Sequence, residues 1–352
     1  MKKYSILLPL IFMFVTYCGV SDITEPPGQT DDDKIVWTPP EFNEAGFAII
    51  DNFPDSLLGG TNDGNLRIIA AADERVAWVS DWTLKVILKT EDGGSSWELL
   101  EPPVSGEIYT IESFDSLNVW IGTQAGEIFF SDDGGYNWSI QHNGNFINYI
   151  EFFTKNIGVA MGDPLEISTN PIEILHTSDG GKTWVNKNTQ IDYGTTHYAV
   201  SFSSPDVGWI RTFPGNNYVF KTNDGGASWD TVYPGGRENI WTLVNLSEQV
   251  TVLAYNLTPM RTTDAGNSWE QLPVVYPTRF AKVRGEQNYV FGIVNGIVAS
   301  ADLGENWKEV DPQIKNVKYW QGISSPKKNV VWISGKSNKI TYTVKMDSIL
   351  AN

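Results

Sequence analysis

From residue 66 to residue 334 the chain is built of short runs in which apolar and polar positions alternate, the period of a half-buried β-strand. The runs come in pairs split by a polar turn. They are Leu66 to Ala71 then Val76 to Ser80, Tyr109 to Phe114 then Val119 to Gly122, and Tyr149 to Phe153 then Gly158 to Gly162. Next come Tyr198 to Ser203 then Val207 to Arg211, and Trp241 to Leu246 then Val250 to Tyr255. Phe280 to Arg284 then Tyr289 to Ile293, and Tyr319 to Ser324 then Val330 to Ser334, complete the set. Nothing after residue 17 has helical periodicity. Seven such pairs predict seven repeated antiparallel units. Trp78, Trp120, Trp209 and Trp332 fall at matching places in the second run, which predicts packing between units.

A second pattern follows each of the first six pairs. Thr90-Glu91-Asp92-Gly93-Gly94-Ser95-Ser96-Trp97 returns as Ser131 to Trp138, Thr177 to Trp184, Thr222 to Trp229, Thr262 to Trp269 and, more weakly, Ser300 to Trp307. The six aspartates, Asp92, Asp133, Asp179, Asp224, Asp264 and Asp302, recur at propeller-blade spacing, about 38 to 46 residues. An Asp carboxylate accepts hydrogen bonds from nearby backbone N–H groups and fixes a tight turn. Glycine supplies the left-handed position such a turn needs, and Trp opens the next strand. One identical Asp per unit is spread around a ring, so the six are expected to be structural staples, not a metal site or an acid/base pair.

This pattern resembles the Asp-box (BNR) repeat, a family that includes sialidases, sortilin-type receptors and photosystem II stability/assembly factor-like propellers. The resemblance covers nearly the whole chain after the leader. Asn118-Val119-Trp120-Ile121-Gly122 followed by Ser131-Asp132-Asp133-Gly134-Gly135 is most similar to the assembly-factor group. It implies an all-β, seven-bladed propeller of four-stranded antiparallel blades and a non-catalytic binding scaffold.

The two ends refine this expectation. Ile35-Val36-Trp37-Thr38-Pro39-Pro40 reads like the last strand of a blade, and residues 317–346 read as three strands without a fourth. Pairing them closes the ring and removes exposed edges, so an N-terminal strand is expected to complete the last blade. Residues 41–65 are then an excursion containing the apolar stretch Phe47 to Ile50. Residues 1–17, with Lys2, Lys3 and an apolar run from Ile6 to Val15, read as a lipoprotein signal peptide. Val15-Thr16-Tyr17-Cys18 resembles a lipobox, which implies lipidation at Cys18; Gly19 after it resembles the outer-membrane sorting pattern. Residues 18–34 read as an acidic flexible tether, and residues 35–352 as a single propeller. A lipid anchor on an exported, monomeric envelope protein is the membrane association expected.

Composition narrows the chemistry. A net charge of −17 disfavours nucleic acid, since no basic stripe could displace counterions. The three histidines, His142, His176 and His197, do not cluster as a zinc site would, and no phosphate loop or serine elbow is present. No cofactor or metal is implied. The aspartate turns commit one rim to staples, so binding is expected on the other, where loops vary in length. Asp163 to Pro171 and Lys187 to His197 are its enlarged segments. The candidate ligand-binding residues are Arg67, Asp81, Trp82, Asp163, Tyr193, His197, Arg211, Arg237, Trp241 and Arg279. A mixture of Arg, Trp and Tyr suits a protein or glycan partner.

Two enzymatic alternatives stay open. A sialidase-like glycoside hydrolase would use Arg67, Arg237 and Arg279 as a carboxylate clamp, although Ile69 replaces the proline of that family's Arg-Ile-Pro start. A xyloglucanase-like hydrolase normally needs a cleft between two propellers, and this chain has room for one.

Overall fold

The computed structural model describes residues 47–50, 65–164, 171–187, 189, 191, 195–212, 218–233, 240–255, 258–273, 277–294, 296–310, 320–335 and 340–343. The leader, Cys18, the tether and residues 35–40 lie outside these. The first strand is β1 (Phe47–Ile50). One four-stranded sheet follows, β2 (Ile68–Ala71), β3 (Ala77–Ser80), β4 (Ile87–Thr90) and β5 (Glu98–Leu100). The next is β6 (Ile108–Ser113), β7 (Val119–Thr123), β8 (Glu127–Ser131) and β9 (Ser139–Asn143). The third is β10 (Phe146–Phe152), β11 (Gly158–Asp163), β12 (Glu173–Thr177) and β13 (Val185–Asn186). The fourth is β14 (Thr195–Phe202), β15 (Gly208–Thr212), β16 (Val219–Thr222) and β17 (Asp230–Tyr233), and the fifth is β18 (Ile240–Asn245), β19 (Thr251–Tyr255), β20 (Thr258–Thr262) and β21 (Glu270–Gln271). The last strands are β22 (Arg279–Val283), β23 (Glu286–Ile293), β24 (Ile297–Ser300), β25 (Lys308–Glu309), β26 (Trp320–Lys327), β27 (Val330–Gly335) and β28 (Ile340–Thr343).

These last seven strands and β1 form one eight-stranded sheet, ordered β1-β28-β27-β26-β22-β23-β24-β25. Counted by hydrogen-bonded sheets, the propeller therefore has six blades, one of double width, where the sequence predicts seven separate ones. The reason is local. β22 and β26 approach closely enough for one parallel bridge, Val283↔Ser325, joining two groups of strands that the repeat pattern separates. An N-terminal strand does pair with β28, and it is Phe47–Ile50, the apolar stretch assigned to an excursion; residues 35–40, expected at that edge, lie outside the described residues.

The innermost strands follow one another around a central channel in the order β2, β6, β10, β14, β18, β22, β26 and back to β2. Burial peaks at the second strands and falls to either side, since the innermost strands line the channel. The second strands β7, β11, β15 and β27 are buried along their whole length, because both faces pack on neighbours, whereas β9, β21 and β25 at the periphery are largely exposed. The four tryptophans of the second strands are fully buried and reach the adjoining sheet. Trp78 Nε1 donates to the Gly134 carbonyl at 3.0 Å, and Trp332 Nε1 to that of Asp73 at 3.0 Å. Trp120 stacks on Phe152 at 3.8 Å, and Trp209 meets Trp269 edge-on at 5.9 Å.

The aspartate turns share one geometry. In the second sheet Asp133 Oδ1 accepts from Ser131 Oγ at 2.8 Å and from the Asn137 N–H at 2.8 Å, and Oδ2 accepts from Asn137 Nδ2 at 2.6 Å. The same bonds recur at Asp92, Asp179, Asp224, Asp264 and Asp302, with Ser, Thr or Asn four residues on. Gly134 also donates its N–H to the Leu117 carbonyl at 2.8 Å, tying this turn to the one between β6 and β7 on the same rim. The turn needs a positive φ after the aspartate. Glycine supplies it at Gly134 (φ 79°), but Ala265 and Leu303 hold the same position at φ 60° and 59°.

Candidate functional site

The rim opposite the aspartate turns is formed by the starts of the innermost strands and the ends of their partners. Four innermost strands carry one extra residue there. Ile108 pairs with Thr123 and Thr110 with Gly122, so Tyr109 is bulged. The same slip makes Asn148, Trp241 and Gln321 extra on β10, β18 and β26. A bulge bends the strand and re-aims its extra side chain. Trp241 is 55 % exposed as a result, while its neighbours Ile240 and Thr242 are buried.

Several predicted residues converge at this rim. Asp81 is fully buried and accepts from Arg67 NH1 through both oxygens at 2.7 Å. The Arg67 guanidinium lies 5.1 Å from the Trp82 ring, which stacks on Tyr109 at 5.8 Å; Phe146 meets Tyr109 edge-on at 4.4 Å. Burial, then the charges of Glu107 and Asp81, push the Tyr109 hydroxyl above the usual tyrosine range. Asp163, near the end of β11, accepts from the buried Asn148 Nδ2 at 2.6 Å. Arg211 NH1 donates to the Ile240 carbonyl, beside Trp241. Arg279 opens β22 and lines the channel, donating to the Thr278 carbonyl at 2.7 Å. His197 falls within β14. Tyr193 and Arg237 lie outside the described residues.

The channel itself holds a second cluster, which the sequence reading missed. Its cavity of about 740 Å³ is lined by Glu112, Tyr149, Glu151, Lys282 and Arg284 among others. Lys282 Nζ sits 2.5 Å from Glu151 Oε1 and also donates to the Phe202 carbonyl. Arg284 donates to the carbonyls of Phe114, at 2.6 Å, and Ser113, and contacts Glu112 at 3.3 Å. The Tyr149 hydroxyl donates to Glu151. Burial pushes the Glu112 carboxyl up to about 7, against the opposing pull of Arg284. Burial, then the Glu151 charge, raises the Tyr149 hydroxyl well above the ordinary tyrosine value. The signal was present in the sequence: Glu112, Glu151 and Lys282 interrupt the apolar alternation of innermost strands. Among the described residues no group of three or more His, Cys, Asp or Glu could hold a metal ion.

Comparison with known proteins agrees with this architecture. No family model matches the chain. Over 103 residues it is 28 % identical to the photosystem II assembly lipoprotein Ycf48 of Synechococcus sp. (strain CC9902), covering 28 % of this chain and 30 % of that protein. The chain thus matches less than a third of the length of this relative. A solved structure of YCF48 bound to D1 peptide superposes with a TM-score of 0.66 at 17 % identity, over 88 % of this chain and all of that one. Virginiamycin B lyase from Staphylococcus aureus superposes with a TM-score of 0.62 at 14 % identity, over 85 % of this chain and 99 % of that one. A scaffold seen in both a peptide-bound protein and a lyase does not by itself decide function. The sequence match and the superposition point the same way: the chain is a β-propeller of Ycf48-like fold.

Proposed function

We propose that this chain is a non-catalytic binding propeller that holds a protein partner on the rim opposite the aspartate turns. Trp241 carries the reading: a large aromatic turned outwards by a strand bulge, beside Arg211 and the channel mouth, has the makings of an interface anchor. The peptide bound by YCF48 supports a protein over a glycan as partner. Lipidation at Cys18 would display the propeller on a bacterial envelope, at the outer membrane by the residue that follows. Nothing in this reading calls for photosynthesis.

Sialidase-like hydrolysis is the alternative. Such chemistry uses a tyrosine paired with a carboxylate base, and the Tyr149 hydroxyl does donate to Glu151, although burial and the Glu151 charge both favour its protonated form. Arg67, one arm of the supposed clamp, is engaged by Asp81.

The test is crosslinking capture from native envelope with the wild type and the Trp241→Ala/Arg279→Ala variant. A Tyr136→Ala variant on the opposite rim serves as control. The reading expects one partner retained by the control and lost from the double variant at unchanged melting temperature. A partner held equally by all three refutes this placement. Turnover of a sialoside by the wild type would refute the non-catalytic assignment.

A further inference from the structure

Apolar side chains scattered singly over a surface are ordinary, but here they gather in one sector. Among the described residues the exposed large aliphatic side chains are Leu117, Ile140, Ile157 and Val185, between 38 % and 60 % exposed, and all four belong to the second and third sheets. The repeats supply their own control. Leu117 offers its carbonyl to the N–H that follows the turn aspartate; in the other five repeats that place is held by Arg75, Asn156, Asp206, Gln249 and Asn288. Val185 follows the turn tryptophan, where the others have Glu98, Ser139, Asp230, Glu270 and Lys308. Contacts join the four residues into one corner between the aspartate-turn rim and the outer flank. Lys155 Nζ lies 3.9 Å from Asp115, linking the turn that carries Ile157 to the turn that carries Leu117. Gln141, next to Ile140, donates from Nε2 to the Gly180 carbonyl at 3.1 Å, in the turn that leads to Val185.

The charge of this corner differs from that of its neighbours. Lys155, Lys182 and Lys187 there offset Asp115, Asp132, Asp133 and Asp179. The same turns of the fourth and fifth sheets carry Asp206, Asp224, Glu248 and Asp264 and no lysine or arginine. The chain also enters the propeller on this rim. Val331, at the start of β27, pairs with Thr343, and Thr343 pairs with Phe47, the first residue of β1. Residues 18–46 span at most about 100 Å when fully extended. A lipid at Cys18 would make contact with the bilayer intramolecular, so a small apolar surface is enough to set an orientation.

We propose that the corner formed by Leu117, Ile140, Ile157 and Val185 rests on the lipid bilayer, leaving the rim that bears Trp241 turned away from it. This contact presupposes the lipid at Cys18 proposed above. The aliphatic side chains enter the headgroup boundary while the lysines beside them meet lipid phosphates. The acidic turns of the fourth and fifth sheets stand off an anionic surface, so the propeller leans on one sector of its rim.

The test uses the full-length lipidated protein in vesicles of phosphatidylethanolamine and phosphatidylglycerol. A polarity-sensitive fluorophore is placed at Leu117→Cys, at Val185→Cys or, as control, at Trp241→Cys. At the first two positions the label should be quenched by lipid-borne nitroxide about threefold or more strongly than at the third, as expected for groups at the headgroup boundary. Flotation with the vesicles reads the anchor separately. A chain that does not float refutes lipidation and this contact together. A chain that floats while all three positions are quenched alike overturns the contact alone. A fluorescence change at Leu117 and Val185 that needs no vesicles and grows with protein concentration identifies a second copy as the occupant, which also overturns it.

Discussion

Replacing Asp133 by alanine removes one staple and nothing else of bulk. The carboxylate accepts four hydrogen bonds, from Ser131 Oγ, the Tyr136 and Asn137 N–H groups and Asn137 Nδ2. On a solvent-facing rim each is worth a fraction of ~1 kcal/mol net, so the four together contribute about 1–2 kcal/mol. A second route reaches the same range. The Asn137 side-chain bond, then its N–H, hold the carboxyl at about 2 against an ordinary 3.8. At ~1.4 kcal/mol per pKa unit that is at most about 2.4 kcal/mol, and solvent screening of an exposed group reduces it to about 1. The sign follows from the lowered value: the stabilisation is complete above pH 3.8 and disappears as pH falls through 2. Urea unfolding of wild type and Asp133→Ala should therefore differ by about 1–2 kcal/mol at pH 7 and converge below pH 2. Coincident curves at pH 7, or a difference that persists in strong acid, would refute the staple.

Other substitutions probe the same framework. Ala265→Gly relieves a left-handed alanine and should stabilise by about 0.5–1 kcal/mol in urea unfolding; a destabilised variant would show that the turn tolerates φ 60° without strain. Arg67→Ala leaves the buried Asp81 carboxylate with its Thr83 bonds but no counter-charge and should cost about 3 kcal/mol, with the Arg67→Ala/Asp81→Ala double variant recovering part of it; a double variant as unstable as the sum would refute the coupling. Trp78→Phe leaves the Gly134 carbonyl without its donor between two sheets, and should cost about 1–3 kcal/mol by the same assay, where an unchanged midpoint would deny that contact its role.

The parts of this molecule legible in its sequence are those set by neighbours along the chain. An aspartate and the residue four positions on close their own turn, so spacing alone locates the turn and the strands on either side. Arg67, Asp81 and Trp82 were also within reach, since one hairpin carries all three. The channel cluster was not. Arg284 meets Phe114 across 170 residues, and alternation within β6 or β22 shows that a charge faces inwards without saying what stands opposite. The merged sheet was hidden for a similar reason, because a single bridge between β22 and β26 depends on how closely two strands lean together. Phe47–Ile50 was misplaced because two short apolar runs competed for one empty edge.

The extra residue at Tyr109, Asn148, Trp241 and Gln321 has an evolutionary meaning. A side chain without an opposite number in the ladder is released from holding the sheet together. Where such a side chain faces solvent, as Trp241 does, it can change while the framework beneath it stays intact. One ring can thus be refitted for successive guests by altering a handful of letters, much as a lathe keeps its bed and changes its tools.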